Sequence, residues 1–157
     1  MMSGQLVRSF KEAMPMKRAM LSAALAVAFV AGVSAQDKPN FAGTWKAADS
    51  FNRTRITVEG SKMTVTLTLA GNSDSTVYML DGTPSTKTIK GPGGKPVEQV
   101  YTSTWEGNVL VTTITTPGPN PMIEKRSIDA DGTMKVERTV ILQGKPETGT
   151  QVFKKIS

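Results

Sequence analysis

The strongest constraint in this sequence is the alternation of threonine or lysine with large apolar residues. From Lys62 to Leu69, apolar side chains occupy every second position and polar side chains occupy the positions between them. Successive side chains of a β-strand point to opposite faces, so this segment would have one apolar and one polar face. A helix would instead need apolar residues three or four positions apart. The segment therefore predicts a half-buried β-strand.

The same alternation recurs through the rest of the chain in short segments separated by turn sequences. The predicted strands are 54–58, 62–69, 76–80, 97–105, 108–116, 122–129, 133–142 and 150–156. About eight to ten short strands joined by tight turns predict an all-β fold. We expect an antiparallel up-and-down meander closed as a small lipocalin-like barrel, with a β-sandwich as the alternative.

The segments between these strands have the composition of turns and loops. Gly60, Gly107 and Gly132 mark three predicted hairpins. Lys87–Lys95 is a basic, glycine-rich segment that we expect to be a flexible surface loop. Only Ala47–Phe51 is a candidate for a helical turn.

The chain contains neither histidine nor cysteine. Without cysteine there is no disulfide, no thiol nucleophile and no cysteine-ligated metal. Without histidine there is no Ser-His-Asp triad and no histidine-ligated zinc. We therefore expect no enzymatic activity, no catalytic residues, no cofactor and no metal site.

Residues 1–35 have the pattern of an N-terminal extension with a cleavable signal peptide. Met16-Lys17-Arg18 gives a basic start, an alanine-rich apolar stretch runs from Ala19 to Val33, and Val33-Ser34-Ala35 supplies small residues for cleavage. The apolar stretch is shorter than the roughly 20 residues of a membrane span, so an uncleaved anchor is the weaker alternative. We predict cleavage near Ala35, a secreted or periplasmic location, and a single β-barrel domain at residues 36–157.

Half of the formal net charge of +6 belongs to residues 1–35, which carry four basic residues and one acidic residue. The remaining +3 is scattered along the sequence, whereas a nucleic-acid-binding face needs clustered lysine and arginine. We therefore expect no nucleic-acid partner and no integral membrane span in the mature chain. A small hydrophobic ligand and a protein partner both stay open.

The mature chain opens with a sequence that resembles the calycin superfamily, which contains the lipocalins and the fatty-acid-binding proteins. Asn40-Phe41-Ala42-Gly43-Thr44-Trp45 matches the N-F-x-G-x-W pattern of that superfamily. The resemblance implies a barrel whose first strand begins at Gly43 and whose one end is plugged by Trp45. The segment from Trp105 to Val111, flanked by two Asp-Gly turns, also resembles small secreted bacterial domains of uncharacterised function.

The end of the chain is similar to the T-R-V-Y-E-K ending of intracellular fatty-acid-binding proteins. Here it reads Thr150-Gln151-Val152-Phe153-Lys154-Lys155, so Gln151 replaces a ligand-binding arginine of those proteins. The resemblance implies ligand-binding roles for Gln151 and Phe153, and the missing arginine removes the basis on which those proteins select fatty acids. The helix pair of those proteins has no counterpart between Lys46 and Arg53, so the barrel opening should also differ.

Arg138 is the first candidate for a functional side chain. In segment 133–142 it shares the apolar face with Met134 and Val136, so it should point inward. A buried guanidinium is costly unless it is paired. Inside a barrel it could hold a ligand carboxylate through two parallel hydrogen bonds. Two structural alternatives stay open: Arg138 covers Trp45, as a late arginine does in calycins, or it pairs with Glu124.

Tyr101 and Trp105 are candidates for a pocket wall. They share one face of segment 97–105 with Gln99 and Ser103, and amphipathic rings beside small polar groups suit a ligand pocket. Core packing is the alternative for both rings. Arg126 lies on a segment whose two faces are both mixed, and we expect it to be a solvated surface residue.

These observations predict a secreted or periplasmic lipocalin-like protein that binds a small apolar or amphipathic ligand. Burial of the apolar part in the barrel would supply affinity, with Arg138 and Gln151 as polar anchors. The alternative is a protein-interaction module or periplasmic enzyme inhibitor, which would have a filled barrel and use its loops. The size of the interior cavity separates the two hypotheses.

Overall fold

The computed structural model describes residues 37–48, 50–118 and 120–157, so the predicted signal peptide lies outside the described residues. The described residues form ten β-strands and one short 3₁₀ turn at Pro92–Gly94. The strands are β1 (Gly43–Ala47), β2 (Arg53–Glu59), β3 (Lys62–Leu69), β4 (Asn72–Met79), β5 (Ser85–Lys90), β6 (Pro96–Glu106), β7 (Val109–Thr115), β8 (Met122–Ile128), β9 (Met134–Leu142) and β10 (Lys145–Lys155). In this part of the chain, no helix has the length and apolar character needed to cross a membrane.

The strands form one antiparallel sheet in the order β4-β3-β2-β1-β10-β9-β8-β7-β6-β5. Chain neighbours pair with each other, and the first strand also pairs with the last, with Trp45 opposite Lys155. This pairing brings the two ends of the meander together and curls the sheet. The predicted antiparallel meander is therefore confirmed, as a nearly closed barrel of ten strands rather than a sandwich.

The barrel has a seam between β4 and β5, the two edge strands of the sheet. Side chains bridge this seam in place of a backbone ladder. The Ser85 hydroxyl donates a hydrogen bond to the Val77 carbonyl oxygen at 2.6 Å. The Lys87 ammonium donates to the Asp74 carboxylate and to the Thr76 hydroxyl. An exposed sheet edge is thus covered by polar contacts from within the same chain.

Two strands begin four or five residues before the positions that the sequence pattern predicted. β4 begins at Asn72 rather than at residue 76, because hydroxyl pairs such as Thr66–Ser75 extend its hairpin with β3. β10 begins at Lys145 rather than at residue 150, because it pairs with β9 over its whole length. Pro146 and Gly149 weaken the strand signal in that segment.

Two predictions about the segments between strands are wrong in part. Lys87–Lys90, expected in a flexible loop, belongs to β5, which pairs with β6 from Ser85 opposite Tyr101 to Lys90 opposite Pro96. The candidate helical turn at Ala47–Phe51 is present only as a single turn, in which the Ser50 amide donates to the Ala47 carbonyl oxygen at 3.3 Å, because β1 runs through Ala47. The pairing of β1 with β2 fixes this connection as a short one.

The hydrophobic core fills the end of the barrel where β1 begins, which we call the closed end. Trp45 is only 1% exposed there, and its indole Nε1 donates to the Phe41 carbonyl oxygen at 2.9 Å. A Cβ on Gly43 would collide with the Lys155 side chain and the Ser157 carbonyl oxygen, so only glycine fits. The other fully buried large apolar side chains are Phe41, Ile56, Met63, Leu110 and Met134.

Candidate ligand cavity

Two adjoining cavities lie inside the opposite half of the barrel, whose mouth we call the open end. Their volumes are about 380 and 210 Å³. Both are lined by Val65, Leu67, Arg126 and Arg138, so the two guanidinium groups stand at their common boundary. Further apolar wall residues of the larger cavity are Ile89, Ile114 and Met122. The interior is therefore hollow at this end, with a charged floor and a wall that is part apolar and part polar, since the Lys87–Asp74 pair also lines the larger cavity.

The floor consists of Glu124, Arg126 and Arg138, which we call the charged cluster. Glu124 accepts a hydrogen bond from Arg126 Nη2 at 2.7 Å on Oε1 and from Arg138 Nε at 2.8 Å on Oε2. The side chains of Glu124 and Arg126 are only 2% and 4% exposed, whereas that of Arg138 is 48% exposed. One carboxylate is thus shared by two guanidinium groups, which leaves the cluster with a net charge of +1.

Arg126 is buried beneath Arg138, and the expectation that it is a solvated surface residue is wrong. The pairing of β8 with β9 sets Glu124 opposite Arg138 and Arg126 opposite Val136, which turns this face of β8 inward. The guanidinium carbon lies 5.3 Å from the centre of the Tyr78 ring. Its Nε has no hydrogen-bond partner among the described residues.

The surroundings of the cluster fix the protonation states that matter near neutral pH. Burial, followed by the negative charge of Glu124, raises the pKa of the Tyr78 phenol well above its ordinary value. Burial lowers the pKa of Arg138, but the charge and hydrogen bond of Glu124 together outweigh it, so that pKa is raised. Tyr78 therefore stays a neutral phenol while Arg138 stays a cation.

Arg138 points into the interior and pairs with Glu124, as one of the three sequence interpretations proposed. The interpretation that it covers Trp45 is wrong. The Lys155 ammonium occupies that position, 5.6 Å from the centre of the Trp45 ring. Because Arg138 lines both cavities and is half exposed, its pairing with Glu124 leaves it accessible from the cavity.

The other interior candidates divide between the two cavities. Tyr101 lines the larger one, packs edge-on against Tyr78 with ring centres 5.4 Å apart, and donates its hydroxyl hydrogen to Gln99 Oε1 at 2.7 Å. Gln151 and Phe153 project from β10 into the smaller cavity. The structure therefore brings Tyr101, Gln151 and Phe153 to the same half of the barrel as Arg138.

Trp105 lies apart from these residues, at the closed end. Its ring stacks on Phe41 with centres 5.9 Å apart and planes inclined by 7°. It borders an external groove of about 590 Å³, where the Lys38 ammonium lies 5.1 Å from the indole centre. The register of β6 explains this position, because Trp105 pairs with Leu110 near the end of the hairpin, four residues beyond Tyr101.

Sequence reasoning missed Tyr78 and Lys87, and it did not assign the central role to Glu124. The β8 segment contained a usable signal, since Glu124 and Arg126 are opposite charges two positions apart and therefore share one face of a strand. Tyr78 and Lys87 gave no comparable signal, because their partners come from distant segments. Only the closure of the barrel brings them to the cluster and to the seam.

No protein-family model and no curated protein matches this sequence. Among solved structures, the chain is similar to the REP1-NXSQ fatty acid transporter, with a TM-score of 0.55 and 15% identity over 74% of this chain and 96% of that protein. It is also similar to a secretary abundant heat soluble protein from Ramazzottius varieornatus, with a TM-score of 0.51 and 15% identity over 73% of this chain and 94% of that one.

Identities this low establish the fold and leave the ligand open. The similarity nevertheless covers nearly the whole of both solved proteins, and the ten-stranded meander with its plugged end agrees with it. The chain therefore has the calycin-like β-barrel fold that its opening Asn40–Trp45 sequence implied.

Proposed function

We propose that this protein binds a small amphipathic molecule whose anionic head group sits on the charged cluster. The observation that carries the proposal is the sharing of Glu124 by Arg126 and Arg138, which leaves one positive charge at the floor of a partly apolar cavity. A ligand carboxylate would neutralise that charge and could accept two hydrogen bonds from one guanidinium.

The hydrogen-bonding state of the cluster supports an incoming acceptor. Arg138 donates to Glu124 through Nε, and half of its side chain still faces the cavity. Arg126 Nε is buried without a partner among the described residues. A buried donor that is left unsatisfied costs about 1–3 kcal/mol. An anionic head group, or water that bridges to it, would relieve that cost at the boundary of the two cavities.

The size of the interior supports a small-molecule ligand. The larger cavity, about 380 Å³, lies near the lower end of the roughly 300–1,000 Å³ range of small-molecule sites. The apolar part of its wall, which includes Val65, Ile114 and Met122, suits a short or medium-length hydrocarbon chain. The two cavities favour ligand binding over the alternative of a filled barrel that acts through its loops.

One structural comparison supports ligand binding, and the leader sequence supports the location where we propose that it occurs. One similar structure is named as a fatty acid transporter, which accords with an amphipathic ligand and with binding rather than catalysis. The basic start, apolar stretch and small residues of 16–35 support secretion or export to the periplasm. We propose that the barrel binds its ligand there, after cleavage near Ala35.

A head-group series tests the proposal directly. Isothermal titration compares decanoate, decanol and decylammonium, which share one chain and differ in charge. We expect decanoate to bind most tightly. Arg138→Leu should weaken decanoate binding about ten- to hundredfold, because a hydrogen bond to a charged group contributes about 1.5–3 kcal/mol. The melting temperature of that variant should hold or rise, because Glu124 keeps Arg126 as its partner.

Arg55→Leu is the matched control, since Arg55 lies exposed on the outside of β2 and the same charge is removed. Its affinity for decanoate should match that of the unaltered protein. Equal affinity for the three head groups, or equal losses in the Arg138 and Arg55 variants, would contradict an anion site on the cluster.

A further inference from the structure

The outer wall of the barrel carries a group of cations that are far apart in the sequence. They are Lys46, Arg53, Arg55 and Lys154, which we call the basic patch. Lys46 lies directly opposite Arg53 on one side and Lys154 on the other. Neighbouring strands are about 4.8 Å apart, so three cations form one row across β2, β1 and β10. Arg55 extends the patch along the same face of β2, and all four residues are exposed.

This arrangement is unfavourable in the isolated protein. Like charges directly opposite each other on adjacent strands are destabilising. Among the described residues, none of the four cations lies within 4.0 Å of a carboxylate. Asp131 is close enough to feel the charge of Lys154, and Asp49 belongs to the β1–β2 connection by sequence. Even when both acids are counted, the patch keeps a surplus of two positive charges.

An exposed aromatic residue lies beside the patch. Phe51 is 98% exposed, the largest exposed fraction among the large apolar side chains of the described residues. It belongs to the short connection between Lys46 and Arg53, and it precedes Arg53 by two positions. The Cα atom of Phe51 therefore lies within about 7 Å of the Cα atom of Arg53.

We infer that the basic patch and Phe51 together dock the protein on an anionic lipid bilayer. Cations near a membrane surface are attracted by acidic lipid head groups, at about 1 kcal/mol for each lysine or arginine. An aromatic ring beside them can bury itself at the boundary between head groups and acyl chains. A soluble polyanion without apolar groups would use the cations alone and would leave Phe51 in water, so the pairing of the two features favours a bilayer over such a polyanion. The inference does not depend on a ligand in the cavity.

Vesicle co-sedimentation tests this inference on the protein in the form that its own host produces. Vesicles of equal parts phosphatidylglycerol and phosphatidylcholine are compared with vesicles of phosphatidylcholine alone at low salt. We expect binding to the anionic vesicles only. Lys46→Glu/Arg53→Glu should reduce it at least 25-fold, about fivefold for each cation removed. Phe51→Ser should reduce it about tenfold, through lost apolar burial.

Lys62→Glu/Lys125→Glu is the matched control, because it makes the same change in net charge outside the patch. This variant should bind anionic vesicles much more tightly than the Lys46/Arg53 variant. Equal losses of vesicle binding in both double variants would overturn the inference, because they would show that binding depends only on net charge. Binding that needs the cations but is indifferent to Phe51→Ser would also overturn it, in favour of a soluble polyanion such as an acidic polysaccharide. Absence of binding to either vesicle would overturn it outright.

Discussion

The two halves of this barrel are built by the same strands and yet have opposite character. At the closed end, Trp45 is buried among large apolar side chains and its one polar atom is hydrogen-bonded. At the open end, the same sheet surrounds cavities and a charged cluster in which a buried donor, Arg126 Nε, has no described partner. Apolar packing is dense in the closed half, although Asn108 Oδ1 in the β6–β7 turn also has no described partner, whereas the open half contains cavities.

The change occurs within single strands. Along the inner face of β9, Met134 and Val136 are buried apolar residues, and Arg138 follows two positions later. Along β8, Ile128 packs against the core and Arg126 and Glu124 follow toward the open end. A uniformly apolar interior would be more stable, since buried ion pairs often contribute less than well-packed hydrophobic residues. The difference accords with a closed half that supplies stability and an open half that holds the proposed ligand site.

Trp45→Ala is the variant from which we expect the largest loss of stability. Removing a fully buried aromatic side chain costs about 3–5 kcal/mol, through lost burial and the cavity left behind. The hydrogen bond to the Phe41 carbonyl oxygen is lost as well. Urea unfolding should therefore show a large fall in the free energy of unfolding. Phe51→Ala, which truncates an almost fully exposed ring, is the control and should change it by less than about 0.5 kcal/mol. Similar losses in the two variants would contradict a closed half that carries the stability.

The next test concerns the charged cluster. Glu124→Leu leaves Arg126 buried without its carboxylate and should cost about 3 kcal/mol. The triple variant Glu124→Leu/Arg126→Leu/Arg138→Leu removes every charge and should be as stable as the unaltered protein or more stable. Urea unfolding measures both variants, and decanoate titration should show that the triple variant has lost anion preference. A triple variant as unstable as Glu124→Leu would show that the cluster is part of the structural core.

Features that depend on adjacent residues were predictable from the sequence, and contacts between distant segments were not. Period-two alternation located β3 within its observed bounds, and the Gly43-Thr44-Trp45 opening implied the calycin-like fold. These signals are local, because each depends on residues that are adjacent in the chain. The inward direction of Arg138 followed from the same alternation, since its apolar neighbours on β9 define the inner face.

The charged cluster and the basic patch depend on pairing between distant segments. The two faces of β8 are both mixed in the sequence, and only its register with β9 shows that Arg126 is the buried member. Lys154 meets Lys46 because the last strand pairs with the first, a contact that scattered charges along the chain do not reveal. Long-range register therefore decides which charges meet, and a single sequence carries little information about it.

The smallest test concerns the turns at the closed end, where polar groups contribute to stability only while they are charged. Asp131 accepts hydrogen bonds from the Thr133 hydroxyl and amide, at 2.6 and 2.9 Å, and these lower the pKa of its carboxyl group in the folded state. A carboxyl group whose pKa is lower in the folded state than in the unfolded state stabilises the fold above its unfolded-state pKa of about 3.9. That stabilisation is lost as the pH falls through the folded-state pKa. Asp131→Ala should therefore lower the melting temperature slightly at pH 7, and the difference should shrink below about pH 4.

Asp81→Ala removes the matching contact with Thr83 in the β4–β5 turn and should show the same pH dependence. If the difference in melting temperature between each variant and the unaltered protein stayed constant from pH 7 to pH 2.5, the charge of these carboxylates would not contribute to stability. The two turns would then act through backbone geometry alone.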